Sequence, residues 1–315
     1  MRYFPTRFPG FDSGFWGKHC VYAFVPGWGS FNNIGYPEIE GSAFSHGRSG
    51  RILMEVTQGG SDNTIFLARG VAKLPGGGGP IPTAFFTPSD SVNGRRYYYG
   101  GVDKGPQFPD PSNMSLVGLW KPIGDGRAGF PDPRIWSKDI GTGAPDHDLM
   151  IGIANNGDDH RARIRTGGTT DTILLAGLVQ DDAWNITSGY IESIISGTPA
   201  TLTGCAGYTE DGGYDNQNWT GGGRNNSGYD PRTSTKIGVG MSANANDNTY
   251  AGHVAIVLGF DFPVKREEQL KELMYDPGCV FKRKSKYVVV GAIAGSGYPY
   301  HIHKRTNNFR SLLAQ

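Results

Sequence analysis

Little in this 315-residue chain favours helix, and the other absences narrow the field further. Only one segment, 263–275, carries a convincing helical period. No run approaches 18 apolar residues, so no spanning helix and no membrane partner are expected. Cysteine is scarce: Cys20, Cys205 and Cys279 are odd in number, far apart and without C-x-x-C spacing. That argues against a disulfide framework and a zinc site, and it fits reduced thiols inside a cell. The opening M-R-Y-F-P-T-R-F-P-G lacks an apolar h-region, so no secretory signal is expected, and sequons such as Asn113 and Asn185 carry no weight. Excess charge of one sign is also missing. A net charge of +1 speaks against direct nucleic-acid binding by the whole chain. G-x-S-x-G, H-E-x-x-H and Walker motifs do not occur.

What is abundant is glycine, 49 residues, and proline, 20, with no collagen period. Such a composition favours short strands and tight turns. Strand candidates are 20–25, 51–56, 64–72, 97–99, 114–120, 149–154, 161–166, 172–179, 190–195, 236–241 and 252–260. In the clearest of them, Leu116, Gly118 and Trp120 alternate with Ser115, Val117 and Leu119. The helix over 263–275 presents Leu270, Leu273 and Met274 as its apolar side, and Asp276-Pro277-Gly278 ends it. The expected fold is all-β: a two-sheet antiparallel jelly-roll sandwich with one short C-terminal helix and extended terminal arms.

Residues 1–18 read as an extended aromatic arm and 285–315 as a basic one. Residues 282–315 contain seven Lys and Arg and no acid, leaving −6 for residues 1–281. Phe4, Phe8, Phe11 and Trp16 in the first arm, and Tyr287, Lys304, Arg305 and Arg310 in the second, are candidate partner contacts. Arg161, Arg163 and Arg165 occupy alternate positions of one strand, a solvated sheet face or a contact for carbohydrate, carboxylate or partner protein. The stretch 204–234 reads as a polar insertion. Its Tyr208, Tyr214, Trp219 and Tyr229 stand among amides such as Asn216, Gln217 and Asn218, which suits a sugar or a protein interface.

The chain resembles the concanavalin A-like lectin/glucanase superfamily in its laminin-G-like form, and among its members those of tailed bacteriophages. Four pieces carry this: C-V-Y-A-F-V-P-G from Cys20, M-S-L-V-G-L-W-K-P from Met114, R-A-R-I-R-T-G-G from Arg161, and the strand–helix–Asp-Pro ending from Tyr250 through Phe281. The resemblance covers about 19–284, with insertions at 75–113 and 204–234. It implies a structural protein of a virion, synthesised in the host cytoplasm: a capsid decoration or cement protein, or a tail or fibre component. Its partners would be the major capsid protein or tail proteins, and a homo-oligomer is expected. The alternative is a carbohydrate-binding module for host surface polysaccharide. The third reading, a glycoside hydrolase, would need two spaced carboxylates. The nearest pair, Glu38 and Glu40, lacks the third acid of the family's E-x-D-x-x-E and sits beside Pro37, so no enzymatic activity is expected. No cofactor is expected. Asp158 and Asp159, next to His160, are candidate ligands for calcium, and equally candidates for capping a turn.

Overall fold

The structure is a computed structural model. It describes residues 9–26, 42–47, 50–55, 68–76, 79–86, 108–110, 112–127, 133–139, 147–154, 157–166, 169–193, 201–219, 236–240 and 250–282. Among these the chain is all-β, in two antiparallel sheets. The larger has strand order β13-β12-β11-β6-β15-β1-β2-β3, with β5 also on β15 and β4 on β5. Its strands are β1 (Cys20–Phe24), β2 (Ser42–Gly47), β3 (Gly50–Glu55), β4 (Ala68–Lys73), β5 (Pro80–Phe86), β6 (Met114–Arg127), β11 (Asn185–Ser193), β12 (Thr201–Thr209), β13 (Tyr214–Trp219) and β15 (Tyr250–Phe260). The smaller sheet runs β10-β9-β8-β7-β14, from β7 (Arg134–Asp139), β8 (His147–Ile153), β9 (His160–Thr166), β10 (Thr169–Leu175) and β14 (Lys236–Val239).

The sheets pack face to face through Tyr22, Phe24, Leu116, Trp120, Trp136, Leu149, Ile151, Ile164, Tyr250 and Val257. Gly118 belongs to this interface because a Cβ there would meet Ile151 Cδ1 at 2.5 Å. The opposite side of β6, Val117 and Leu119, joins a second core with Trp16, Phe260, Leu270, Leu273 and Met274. The alternation in β6 is therefore real, but neither side of it meets water. A central sheet buried on both faces selects near-continuous apolar strands, which is why β1 is buried at every position.

Helix α2 (Glu267–Tyr275) buries Leu270, Leu273 and Met274, as its period predicts. It starts later than Pro263, because Gln269 Oε1 accepts the N–H groups of Lys265 and Arg266, both at 3.1 Å, and fixes the first turn there. A 3-10 turn, Pro277–Val280, follows. Among the described residues no helix is long and apolar enough to cross a membrane.

Two expectations change. Residues 9–18 are not an extended arm. They contain a short helix, α1 (Phe15–His19), whose Trp16 is 6% exposed and packs on Phe260 and Phe262 at ring separations of 5.3 and 5.9 Å. Phe11 bridges Phe281, and Asp12 N–H donates to Val280 O while Lys282 N–H donates to Gly10 O, both at 2.9 Å. The two described ends of the chain are thus zipped together. Second, 204–219 is no loop: β12 and β13 form a hairpin there. Phe4, Phe8, Tyr229, Tyr287, Lys304, Arg305, Arg310, Glu38 and Glu40 lie outside the described residues.

Candidate functional site

The outer surface of the larger sheet is closed by α1, α2 and the 3-10 turn. The outer surface of the smaller sheet follows from its register. Ile164, Ile151 and Trp136 face the core, so Arg161, Arg163, Met150, Gly152, Arg134 and Ser137 face outward, with Thr172 and Leu174 of β10 beside them. Along β9 the outward positions repeat every ~6.6 Å.

Exposure divides this face. Arg134 is 2% exposed, Arg161 6%, and Ser137 and Met150 are fully buried. Toward β10 the face opens: Thr172 is exposed, Arg163 half-buried, and Leu174 is 44% exposed. Arg163 Nε donates to Thr172 Oγ1 at 3.1 Å, so the neighbouring strand fixes where its guanidinium lies. The row of three arginines expected on β9 is therefore not uniform. Arg161 is internal, Arg163 is accessible and held, and the side chain of Arg165 lies outside the described residues.

Among the described residues β10 pairs only with β9 and β13 only with β12, and the two meet at the same open edge of the sandwich. This brings the amide-rich strand against β10, the neighbour of the arginine strand. Gln217 and Asn218 are exposed on β13, and Gln217 Nε2 lies 3.3 Å from both carboxylate oxygens of Asp215.

Strand β13 is tied down from behind. Tyr190 is paired in register with Gly204 and lies over it, donating its hydroxyl to Asn216 Oδ1 at 2.7 Å. Tyr214 donates to Lys265 O, also at 2.7 Å, and Lys265 Nζ pairs with Glu192 over the Tyr190 ring. Burial pushes the Tyr190 hydroxyl far above its ordinary range, so it stays a donor.

The aromatic platform expected in this stretch needs correction. Tyr208 is 2% exposed and belongs to the core beneath α2, so it presents no ring to a ligand. Tyr214 is half-buried and spent on Lys265. Trp219 ends β13, but its side chain lies outside the described residues. Asp159, as a cation candidate, is corrected too. It is 7% exposed and its Oδ1 accepts the Gly177 N–H at 2.7 Å, while the backbone carbonyl of Asp158 accepts from Val179 at 2.7 Å. That is the use of aspartate at a turn, and no three metal-ligating side chains come together among the described residues.

One feature of this end gave no signal in the sequence. His160, fully buried, lies on the inner side of β9 with Nδ1 at 2.8 Å from Thr187 Oγ1 and Nε2 at 3.2 Å from Asn185 Oδ1. Trp120 Nε1 donates to the same Thr187 hydroxyl at 3.0 Å. These residues lie on three strands, β6, β9 and β11, so no local pattern could join them.

No protein-family model matches the chain, and no curated protein matches it. Among solved structures, it is similar to the CBM40 domain of the Ruminococcus gnavus IT-sialidase bound to α2,3-sialyllactose, at TM-score 0.36 and 10% identity over 51% of this chain and 81% of that one. It is also similar to a Trypanosoma rangeli sialidase, at TM-score 0.45 and 9% identity over 84% of this chain and only 34% of the sialidase. A heptameric SAP-like pentraxin from Limulus polyphemus is similar at TM-score 0.34 and 10% identity, over 52% and 70% of the two chains. At these scores no residue role passes from them to this chain.

Proposed function

We propose that the β9–β10–β13 edge is a carbohydrate-binding surface, and that its ligand carries an acidic group. One juxtaposition supports this reading: Arg163, held by Thr172, stands beside the exposed Leu174 of β10, and β10 meets β13, whose exposed Gln217 lies on the same side of the strand pair as Cys205, toward the smaller sheet. A saccharide requires apolar contact for its C–H faces and planar hydrogen-bonding groups for its hydroxyls. A fixed guanidinium adds a charge-assisted partner for a carboxylate. Placing these groups on strands rather than loops lowers the ordering cost of binding. The role is binding without hydrolysis.

The test is calorimetric titration of the full chain with polygalacturonate oligosaccharides and, in parallel, with neutral malto-oligosaccharides. The acidic series should bind more tightly. Arg163→Ala should weaken it at least tenfold, about 1.4 kcal/mol, close to the lower end for a hydrogen bond to a charged group. Equal affinity in Arg163→Ala, or no binding to any saccharide, refutes the reading.

A second reading has one observation behind it. The chain ends are zipped through Phe11 and Phe281, so the described chain begins and ends side by side. This supports a structural role in which the terminal segments together attach the sandwich to a virion partner, and it is compatible with glycan binding.

A further inference from the structure

The larger sheet carries a row of side chains that neither the core nor the β9–β10–β13 edge uses. Across β5, β15 and β6, His253 pairs in register with Phe85 on one side and with Lys121 on the other. In-register partners share a face of the sheet. Here it is the face turned away from the smaller sheet, because the flanking Ala84, Val254 and Trp120 belong to the core between the sheets. The helices that close this face pack elsewhere: α1 on Phe260, at the other end of β15, and α2 over β11 and β12. Phe85, His253 and Lys121 are accordingly half-buried and open to solvent on one side.

The imidazole at the centre is held on two sides. The Phe85 ring lies against it at 4.6 Å with 39° between the planes, and Thr83 Oγ1 is 2.9 Å from Nδ1. Thr83 is 1% exposed, and the imidazole is the hydrogen-bond partner of its hydroxyl. A buried hydroxyl with one such partner donates to it, so Nδ1 accepts and Nε2, on the far edge of the ring from Thr83, carries the proton. Two other cations of the molecule are matched: His19 has Asp261 at 2.8 Å, and Lys265 has Glu192. Among the described residues Lys121 and His253 have no carboxylate partner. We propose that Lys121 and His253 form a binding site for a phosphate monoester, whose oxygens accept from Lys121 Nζ and His253 Nε2–H together.

The chemistry of the row selects this class of ligand. Two single-point donors on neighbouring strands suit a tetrahedral dianion, which offers several oxygens at once, whereas a flat carboxylate is better matched by a guanidinium fork, and the row contains none. Half-burial strengthens both hydrogen bonds over their value in water. The groups around the ring oppose its charge in the free protein. From β5 come Thr83 and Phe85, both uncharged, from β15 the Tyr250 hydroxyl, which donates to His253 O at 3.3 Å, and from β6 Lys121. Desolvation, and after it the Lys121 charge, hold the imidazole below its ordinary range. A bound dianion turns that repulsion into attraction of both groups to one ligand. Thr83 is a positioning residue, acting through the ring. The site lies on the opposite sheet from Arg163 and does not depend on the saccharide reading.

NMR titration of the His253 ring in the full chain tests the site, with inorganic phosphate or sodium chloride at one ionic strength. Phosphate should raise the His253 midpoint by about one pH unit relative to chloride, as a contacting opposite charge does. Lys121→Gln should raise the midpoint in chloride, since a like charge is gone, and cancel most of the response to phosphate. Lys121→Arg, which keeps the charge, should retain that response. In calorimetry near neutral pH, glucose 6-phosphate should bind more tightly than glucuronate, and Lys121→Gln should weaken it about tenfold, close to the loss of one hydrogen bond to a charged group. A His253 midpoint that phosphate does not move, or tighter binding of glucuronate, overturns the proposal. So does an equal phosphate response in Lys121→Gln; if that variant does not fold, loss of the response in Lys121→Arg overturns it. Arg163→Ala should leave glucose 6-phosphate binding unchanged. Failure of polygalacturonate to bind refutes the saccharide reading and leaves the phosphate result standing.

Discussion

Replacing Gly204 with alanine should destabilise the protein, although alanine ordinarily suits a strand better than glycine. A Cβ at this position would lie 2.1 Å from Cζ, 2.3 Å from Oη and 2.6 Å from Cε1 of Tyr190. Ordinary contact needs more than 3.4 Å, so the ring must move by over 1 Å. Tyr190 is fully buried, and its hydroxyl is 2.7 Å from Asn216 Oδ1. A shift of that size breaks the hydrogen bond as well as the packing. Overpacking costs about 1–3 kcal/mol and a buried hydrogen bond about 1 kcal/mol. The gain in strand propensity and unfolded-chain entropy returns about 0.5–1 kcal/mol. The net loss should be about 1–3 kcal/mol. Tyr190→Leu removes all three clashing atoms while keeping an apolar side chain. In that background Gly204→Ala should therefore cost less than about 0.5 kcal/mol. Urea unfolding of the four proteins, followed by circular dichroism, gives the coupling energy. A Gly204→Ala cost that is the same in both backgrounds would refute the reasoning.

How far the sequence reached depended on whether the determining contacts were local. The helix was legible because Leu270, Leu273 and Met274 share a face within two turns. The strands β6 and β15 were legible because a sheet buried on both sides demands apolar runs. Strand β13, Y-D-N-Q-N-W, carries no strand signal because an edge strand needs no apolar side, and its backbone partner, β12, supplies the order. Strand β5 carries Pro80 and Pro82, which ordinarily argue against a strand, yet it pairs with both β4 and β15. The candidate site was half legible. Period 2 put the β9 arginines on one face, but it could not say that Arg161 would be internal and Arg163 accessible. Aromatic content marked out 204–229, whereas the structure spends Tyr208 on the core and Tyr214 on Lys265. Burial is a property of the assembled sandwich, so neither outcome had a local signature.

Leu273→Ala should cost about 2–5 kcal/mol in urea unfolding, since Leu273 is 1% exposed on the buried face of α2; a loss under about 0.5 kcal/mol would detach the helix from the core. Stability should depend on acid through His160. Its folded value of about 4 lies below the unfolded 6.5, so its contribution is complete above pH 6.5 and is lost as pH falls to 4, about 3 kcal/mol in all. Denaturant midpoints in wild type and His160→Gln check this, and identical pH profiles would exclude it. The last prediction concerns where the folded unit begins. A boundary at residue 19 looked natural from the aromatic, aperiodic N-terminus, but the structure places essential core before it. A fragment spanning 9–284 keeps Trp16, the Phe11–Phe281 stack at 6.2 Å and the two backbone bonds that zip the ends. It should match the full chain in urea midpoint. A fragment spanning 19–284 loses them all. Removing Trp16 alone corresponds to a large aromatic deletion of about 3–5 kcal/mol, and Phe281, 1% exposed in the intact chain, would lose its cover. That sum approaches the whole stability of a typical domain, about 5–15 kcal/mol. The shorter fragment should therefore be unfolded or insoluble. A cooperative unfolding transition for 19–284 at the midpoint of 9–284 would show that the zipped ends are attached to the sandwich without supporting it.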